Sequence, residues 1–259
     1  WALCRAWVLP GDASAARGRS VAVVGCGAVG SAVATMLRAW GAEPLLVDPP
    51  LAREKPEFSG LSLDEALAMK PDAITLHTPL TRSGPDATWH LLDADRLARL
   101  PGCAVLNAAR GDVLELAAAA HLRRSGQLAW LAVDTFPGEP APDPALVGAC
   151  DLATTHIAGH SIEGKLRVAA LPLQALRRLL WLPPAVDLDA AIAERVAHPP
   201  GDREVHRDPW TALDVAAAAF AAAPASFGVH RAAHWRVERE RRGAKVRTNT
   251  EGEKECSEW

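Results

Sequence analysis

The sequence predicts an α/β fold, a doubly wound parallel sheet with a small appended C-terminal α/β region. Three observations carry that prediction. Short apolar runs alternate with helical segments through the first two thirds of the chain. The first run ends in Gly25-Cys26-Gly27-Ala28-Val29-Gly30, and the second ends in Asp48, 18 residues beyond Gly30. Strands covered on both faces read as continuous apolar runs, and parallel strands need a helical crossover between them, so this pattern excludes a hairpin-built sheet.

The elements follow in order. Residues 21–24 (Val-Ala-Val-Val) are a β-branched run entering the glycine turn, after which Val29, Val33, Met36, Leu37 and Trp40 fall on one helical face that stops at Gly41. Residues 44–47 form the next strand, so 25–48 completes one βαβ unit. Ser62-Leu63-Asp64-Glu65 is a capping box opening a helix to about Met69, and 73–78 is strand. Asp93 caps a helix to Leu100, 103–107 is strand, and 113–124 is helix closed by Gly126. Strands follow at 129–134 and 152–156, then a helix from Ser161 to about Leu182 that Pro172 should kink. Pro183-Pro184 and Pro199-Pro200-Gly201 then break the pattern before an alanine-rich helix at 211–223.

Composition excludes several classes. With 49% hydrophobic residues, 23% charged and a net charge of -3, the chain lacks the biased charge of a nucleic-acid binder and the low hydrophobicity of a disordered chain. The charge-free stretch 215–230 is mostly alanine and contains Pro224, which is too short and broken for a membrane span. The start is apolar but Arg5 interrupts it, which argues against a secretory signal. Five scattered cysteines with no Cys-x-x-Cys pair suggest neither a disulfide framework nor a zinc site, so a cytoplasmic location and no metal are expected.

Gly-x-Gly-x-x-Gly alone is weak, because glycines also mark turns. Between a strand and a helix, with an acidic residue ending the next strand, it aims backbone amides and the helix dipole at a pyrophosphate, the Rossmann-type arrangement. Asp48 would then bond the adenine ribose hydroxyls and repel a 2′-phosphate, favouring NAD over NADP; alternatively it is a turn former before Pro49-Pro50. Ligands of such sheets bind beyond the carboxyl ends of the strands. Arg110, Glu139 and His156 arrive there from three consecutive strand-end segments, 107–112, 134–140 and 154–160. Individually they read as a surface ion pair, a loop residue and a strand-end histidine.

Residues 24–30 (Val-Gly-Cys-Gly-Ala-Val-Gly), 76–80 (Leu-His-Thr-Pro-Leu), 107–111 (Asn-Ala-Ala-Arg-Gly), 138–140 (Gly-Glu-Pro) and 156–159 (His-Ile-Ala-Gly) together resemble the NAD-dependent D-2-hydroxyacid dehydrogenase family over residues 12–180. Segments 48–50, 80–84, 89–93 and 156–165 resemble one branch of it, which acts on a small phosphorylated 2-hydroxy acid and carries an extra dimerisation domain.

The resemblance implies roles. Arg110 binds the substrate carboxylate and C2 oxygen, His156 takes the C2 hydroxyl proton, and Glu139 orients that imidazole. Gly25, Gly27, Ala28, Val29, Gly30, Asp48, Thr78, Ala108, Ala109, Arg110, Asp134 and Gly159 line the cofactor, with Asp134 near the nicotinamide amide. His160 joins Arg110 in substrate binding, standing where the branch usually has Tyr, and Thr155 stands where the family often has Pro.

The implied organisation is a remnant of a substrate lobe or interdomain helix at 1–19, an NAD-binding domain at 20–158, a return helix at 159–182, a dimerisation-like domain at 183–235 and a disordered tail at 236–259. A substrate lobe precedes the glycine loop in the family, so the chain is expected to be N-terminally truncated, and a homodimer is expected. The competing functions are another 2-hydroxyacid dehydrogenase, acting on phosphoglycerate or on glyoxylate and hydroxypyruvate, and a non-catalytic NAD-binding sensor or interaction protein.

Overall fold

A computed structural model describes residues 16–181, 190, 194, 217–227, 247–248 and 254–255. Six strands form one parallel sheet: β1 (Ser20–Val24), β2 (Glu43–Val47), β3 (Ala73–Leu76), β4 (Ala104–Asn107), β5 (Trp130–Val133) and β6 (Leu152–Ala153), in the order β2-β1-β3-β4-β5-β6. The order reverses between β1 and β3, which opens a crevice at their carboxyl ends.

Both faces of the sheet are covered, and the strand sequences show why. Along β1, Ala22 and Val24 enter one apolar cluster while Val21 and Val23 enter another. Leu131 and Val133 of β5 face the first cluster and Ala132 faces the second, the two-residue period of a pleated strand. Helix α1 (Ala28–Ala39) covers the second face with Ala34 and Leu37. Helices α3 (Leu63–Ala68), α4 (Ala94–Ala98) and α5 (Leu116–Arg124) cover the first with Leu63, Ala66, Leu67, Leu97, Leu116 and Ala119.

Local chemistry sets the boundaries. The Ser62 side chain accepts from Glu65 N–H while Glu65 accepts from Ser62 N–H, completing the predicted capping box, and Asp93 caps α4 through Arg96 N–H. Two short helices were absent from the sequence reading, α2 (Pro49–Glu54) and α6 (Pro144–Val147). Each has Asp at its N-cap and Pro in its first turn.

The helix expected at 113–124 begins only at Leu116; residues 111–113 make a 3₁₀ turn, because Leu114 bridges to Leu92 and Leu92 N–H donates to Val113 O. The strand expected at 152–156 ends at Ala153, where side-chain bonding to Asp134 takes over. Helix α7 (Ile162–Leu179) contains Pro172.

Of the expected C-terminal region, 183–189, 191–193, 195–216 and 228–235 lie outside the described residues, and with them the first part of the helix expected at 211–223. Residues 217–222 are helical, and Phe220 and Phe227 are fully enclosed in the first apolar cluster of the main domain. Within 236–259 the described residues are an antiparallel pair, β7 (Arg247–Thr248) and β8 (Lys254–Glu255).

Candidate active site

The glycine loop is fixed by contacts that exclude side chains. Gly25 has φ +88°, and a Cβ at Gly30 would lie 1.8 Å from the Gly25 carbonyl oxygen, so α1 can pack on β1 only with glycine there. A Cβ at Gly27 would meet nothing within 4 Å. Gly27 is the N-cap of α1, with no side-chain cap and no acidic residue in the first turn, and Gly27, Ala28 and Val29 are exposed. The uncapped first-turn amides of this three-turn helix therefore face open space, the arrangement that favours an anionic ligand.

Asp48 holds this loop. Its Oδ2 accepts from Cys26 N–H at 2.8 Å and its Oδ1 from Leu51 N–H at 3.0 Å, so the carboxylate acts as the turn former before Pro49-Pro50 and also ties down the glycine loop. Burial, and then the nearby Asp48, push the Cys26 thiol up to about 11, which keeps it neutral. Across the loop stands Thr78, whose Oγ1 is buried without a hydrogen-bond partner and whose Cγ2 lies 3.0 Å from where a Gly25 Cβ would be. Beside it, His77 is driven down to about 4 by burial, with Nε2 3.1 Å from Thr75 Oγ1.

A second pairing lies in the loops that follow β5 and β6. His156 Nδ1 donates to Glu139 Oε2 at 2.8 Å, and Glu139 Oε1 accepts from Phe136 N–H, also at 2.8 Å. A carboxylate can only accept, so Nδ1 carries the proton and Nε2 of the neutral ring is the acceptor. His156 has φ 55°, a left-handed conformation that costs a side-chain-bearing residue about 1 kcal/mol or more.

Asp134 holds it there. Asp134 O accepts from His156 N–H at 2.7 Å, Oδ1 from Thr154 Oγ1 at 2.6 Å and Ile157 N–H at 2.7 Å, and Oδ2 from Ala158 N–H at 2.9 Å. This brace was missed in the sequence, where Asp134 was read toward the cofactor alone. Gly159 is exposed next to it, and half-buried His160 donates its N–H to Ile157 O.

Arg110, at the end of β4, is exposed and donates to Ala109 O at 2.7 Å; among the described residues it bonds neither Glu139 nor His156. Its loop is shaped by buried Asn107, whose Nδ2 donates to Arg110 O and whose Oδ1 accepts from Ala109 N–H. Ala109 lies in the core, whereas Ala108 is exposed. Among the described residues no three His, Cys, Asp or Glu side chains are grouped so as to hold a metal, and no helix is long and apolar enough to cross a membrane.

A parallel sheet with a glycine loop at its switch point and a His–Glu pair beyond the carboxyl ends of its strands has the form of a dinucleotide-binding domain. The family "D-isomer specific 2-hydroxyacid dehydrogenase, NAD binding domain" matches residues 7–158, and the chain belongs to that family. Its cofactor is NAD.

Among curated relatives, erythronate-4-phosphate dehydrogenase of Pseudomonas paraeruginosa is 45% identical over 158 residues, 61% of this chain and 41% of that protein. The erythronate-4-phosphate dehydrogenase of Salinibacter ruber is 44% identical over 163 residues, 61% of this chain and 41% of that one. The chain thus spans about two fifths of the length of these relatives. Among solved structures, a glyoxylate reductase from Paecilomyes thermophila is 26% identical with TM-score 0.53, over 62% of this chain and 49% of that one. A D-lactate dehydrogenase from Aquifex aeolicus, complexed with NAD and lactic acid, is 24% identical and shares the fold at TM-score 0.53, over 67% of this chain and 56% of that one.

Proposed function

We propose that this chain supplies the cofactor-binding and proton-transfer half of an NAD-dependent dehydrogenase that oxidises 4-phospho-D-erythronate at C2 to the 2-oxo acid, a step of pyridoxal 5′-phosphate biosynthesis. The observation that carries the reading is the Glu139–His156 hydrogen bond, which leaves Nε2 as the proton acceptor on the rim where the glycine loop also opens. The similarity to erythronate-4-phosphate dehydrogenases, at 41–45% identity, supports the substrate.

The residues suit NAD. The uncapped start of α1 would take the pyrophosphate through the Gly25, Gly27, Ala28, Val29 and Gly30 segment, and Asp48 would take the adenine ribose with the acceptor capacity its two backbone bonds leave. The unpartnered Thr78 hydroxyl is a buried donor suited to a ligand oxygen. Ala108, Ala109, Asp134 and Gly159 would complete the lining. When bound, NAD supplies the hydride acceptor.

The chain's own residues handle the proton and the charge. His156 Nε2 takes the C2 hydroxyl proton, and Glu139 stabilises the imidazolium that results. Arg110 clamps the substrate carboxylate with its planar fork. His160 contributes on the same rim. Metal is not required by this scheme, since arginine and histidinium supply the positive charge. The assembled enzyme is a cytoplasmic homodimer in this reading.

The test is made on the full protein with NAD and 4-phosphoerythronate. His156→Ala or Arg110→Ala is expected to leave NAD binding nearly intact while lowering turnover of 4-phosphoerythronate, for the lost base on the order of 10²- to 10⁴-fold. Unchanged turnover in both variants sinks the site assignment, and faster turnover of phosphoglycerate or glyoxylate replaces the substrate.

A further inference from the structure

Phe136 is a junction. Its backbone N–H holds one oxygen of Glu139, and its carbonyl carbon would lie 2.3 Å from a Cβ at Gly111, so it also abuts the segment that follows Arg110. Its ring is met edge-on by Phe220, with centroids 5.6 Å apart at 73°, and Phe220 is met in turn by Phe227 at 5.7 Å and 83°. Phe136, Phe220 and Phe227 are 3%, 0% and 2% exposed. Phe220 and Phe227 come from residues 217–227, which no strand of the parallel sheet needs for its pairing.

We infer that Phe220 is a positioning residue: by fixing the Phe136 ring, the segment 217–227 sets the backbone that holds Glu139, and through Glu139 the tautomer and orientation of His156. The physical chain is continuous. A buried ring pair in T-shaped contact resists sliding, because its edge-to-face attraction, on the order of 1 kcal/mol, is lost with small displacements. The peptide of a clamped ring cannot swing, and a 2.8 Å bond from that peptide fixes the carboxylate rotamer. The second carboxylate oxygen then faces Nδ1 and selects the Nδ1–H form. A segment far along the chain thereby acts on the proton acceptor without touching it. This rests on the reading of Glu139 and His156 given above.

The test uses the full chain, without cofactor or substrate, and reads the His156 ring nitrogens by ¹⁵N NMR above the imidazole titration. Wild type is expected to show one tautomer, with Nδ1 protonated, and Glu139→Gln to lose that single-tautomer signature. Phe220→Ala is expected to lose it in the same direction while the protein remains folded, and Phe220→Leu, which refills most of the volume, to restore most of it.

Leu37→Ala, a truncation in the apolar cluster on the opposite face of the sheet, is expected to lower the melting temperature and leave the signature unmoved. If Phe220→Ala does not fold, Phe220→Val is read in its place with the same expectation. A wild-type signature in a folded Phe220→Ala or Phe220→Val protein overturns the inference, as does an equal loss in Leu37→Ala. No change in Glu139→Gln would instead remove the Glu139–His156 pairing itself, and both readings with it. Failure of the dehydrogenase reading alone, by contrast, shows up only in turnover.

Discussion

Gly111 and Phe136 meet backbone to backbone: a single methyl on Gly111 would sit 2.3 Å from the Phe136 carbonyl carbon and 2.4 Å from both its oxygen and Pro137 N. The loop bearing Arg110 and the loop bearing Glu139 are therefore one packed unit. Gly111→Ala must push them apart, since backbone cannot yield as a side-chain tip can. The expected cost is about 1–3 kcal/mol or more, as for overpacking of a tight interior, checked by chemical denaturation. A stability within 0.5 kcal/mol of wild type would show that the two loops are not locked together.

Asp48 serves the chain and the ligand at once, and substitution probes both roles. Asp48→Ala removes the cap on α2 and the acceptor for Cys26 N–H, and should lower stability by about 1 kcal/mol while relaxing the preference for NAD over NADP. Asp48→Asn keeps one oxygen to cap Leu51 N–H but turns an NH2 toward Cys26 N–H and removes the negative charge, so a stability loss should remain while the preference still relaxes. Calorimetric titration with each dinucleotide measures the preference, and chemical denaturation measures the stability. A wild type that prefers NADP refutes the role of Asp48.

Asp134 accepts from Thr154, Ile157 and Ala158 through its side chain, and those bonds hold His156 in its left-handed conformation. Asp134→Ala strands the buried Ile157 amide and the buried Thr154 hydroxyl, each costing about 1–3 kcal/mol when left unmade. Thr154→Val removes one of the three bonds and should cost less. Equal, small losses in both variants would mean that water replaces the carboxylate.

Burial holds His77 down to about 4, against 6.5 for the free side chain. Above pH 6.5 the group is neutral whether folded or unfolded and contributes no slope. Between pH 6.5 and 4 the unfolded chain takes up a proton that the folded one refuses, so stability falls with pH across that window and levels below it, by up to about 3 kcal/mol. His77→Gln should flatten the decline between pH 6.5 and 5, before most carboxylates titrate. An unchanged slope there would place the dependence on another group.

The parts of this fold governed by neighbours in sequence were legible: the strand runs, the Ser62–Glu65 capping box and the glycine turn depend on residues a few positions apart. Where distant residues decide, the reading slipped. The start of α5 shifted from 113 to 116 because Leu114 is claimed by Leu92, and β6 ended early because Thr154 turns to Asp134. The short helices α2 and α6 did leave a signal, an aspartate followed by proline, but Asp48-Pro49-Pro50 reads equally as a ribose ligand or a turn and does not by itself announce a helix. Of the candidate site, the glycine loop, Arg110, Glu139 and His156 stood out by their place after strands. The ring contact between Phe220 and Phe136 could not, since an alanine-rich segment shows no periodicity that says where it docks.

The strand order carries one more consequence, for how the protein forms. β1 lies between β2 and β3, and its Val21 pairs with both Pro44 and Ala73, so every bond on one side of β1 waits for a partner some fifty residues later in the chain. The glycine loop waits with it, because Gly25 is walled by His77 and Thr78. Contacts so far apart in sequence are slow to nucleate, since the intervening chain must be closed into a loop before any pairing repays its lost entropy. On a ribosome, the nucleotide loop can therefore take shape only after Thr78 has emerged. Until then β1, the most apolar of the early strands, is an open edge, and that interval is when the nascent chain is most exposed to aggregation and most in need of a chaperone.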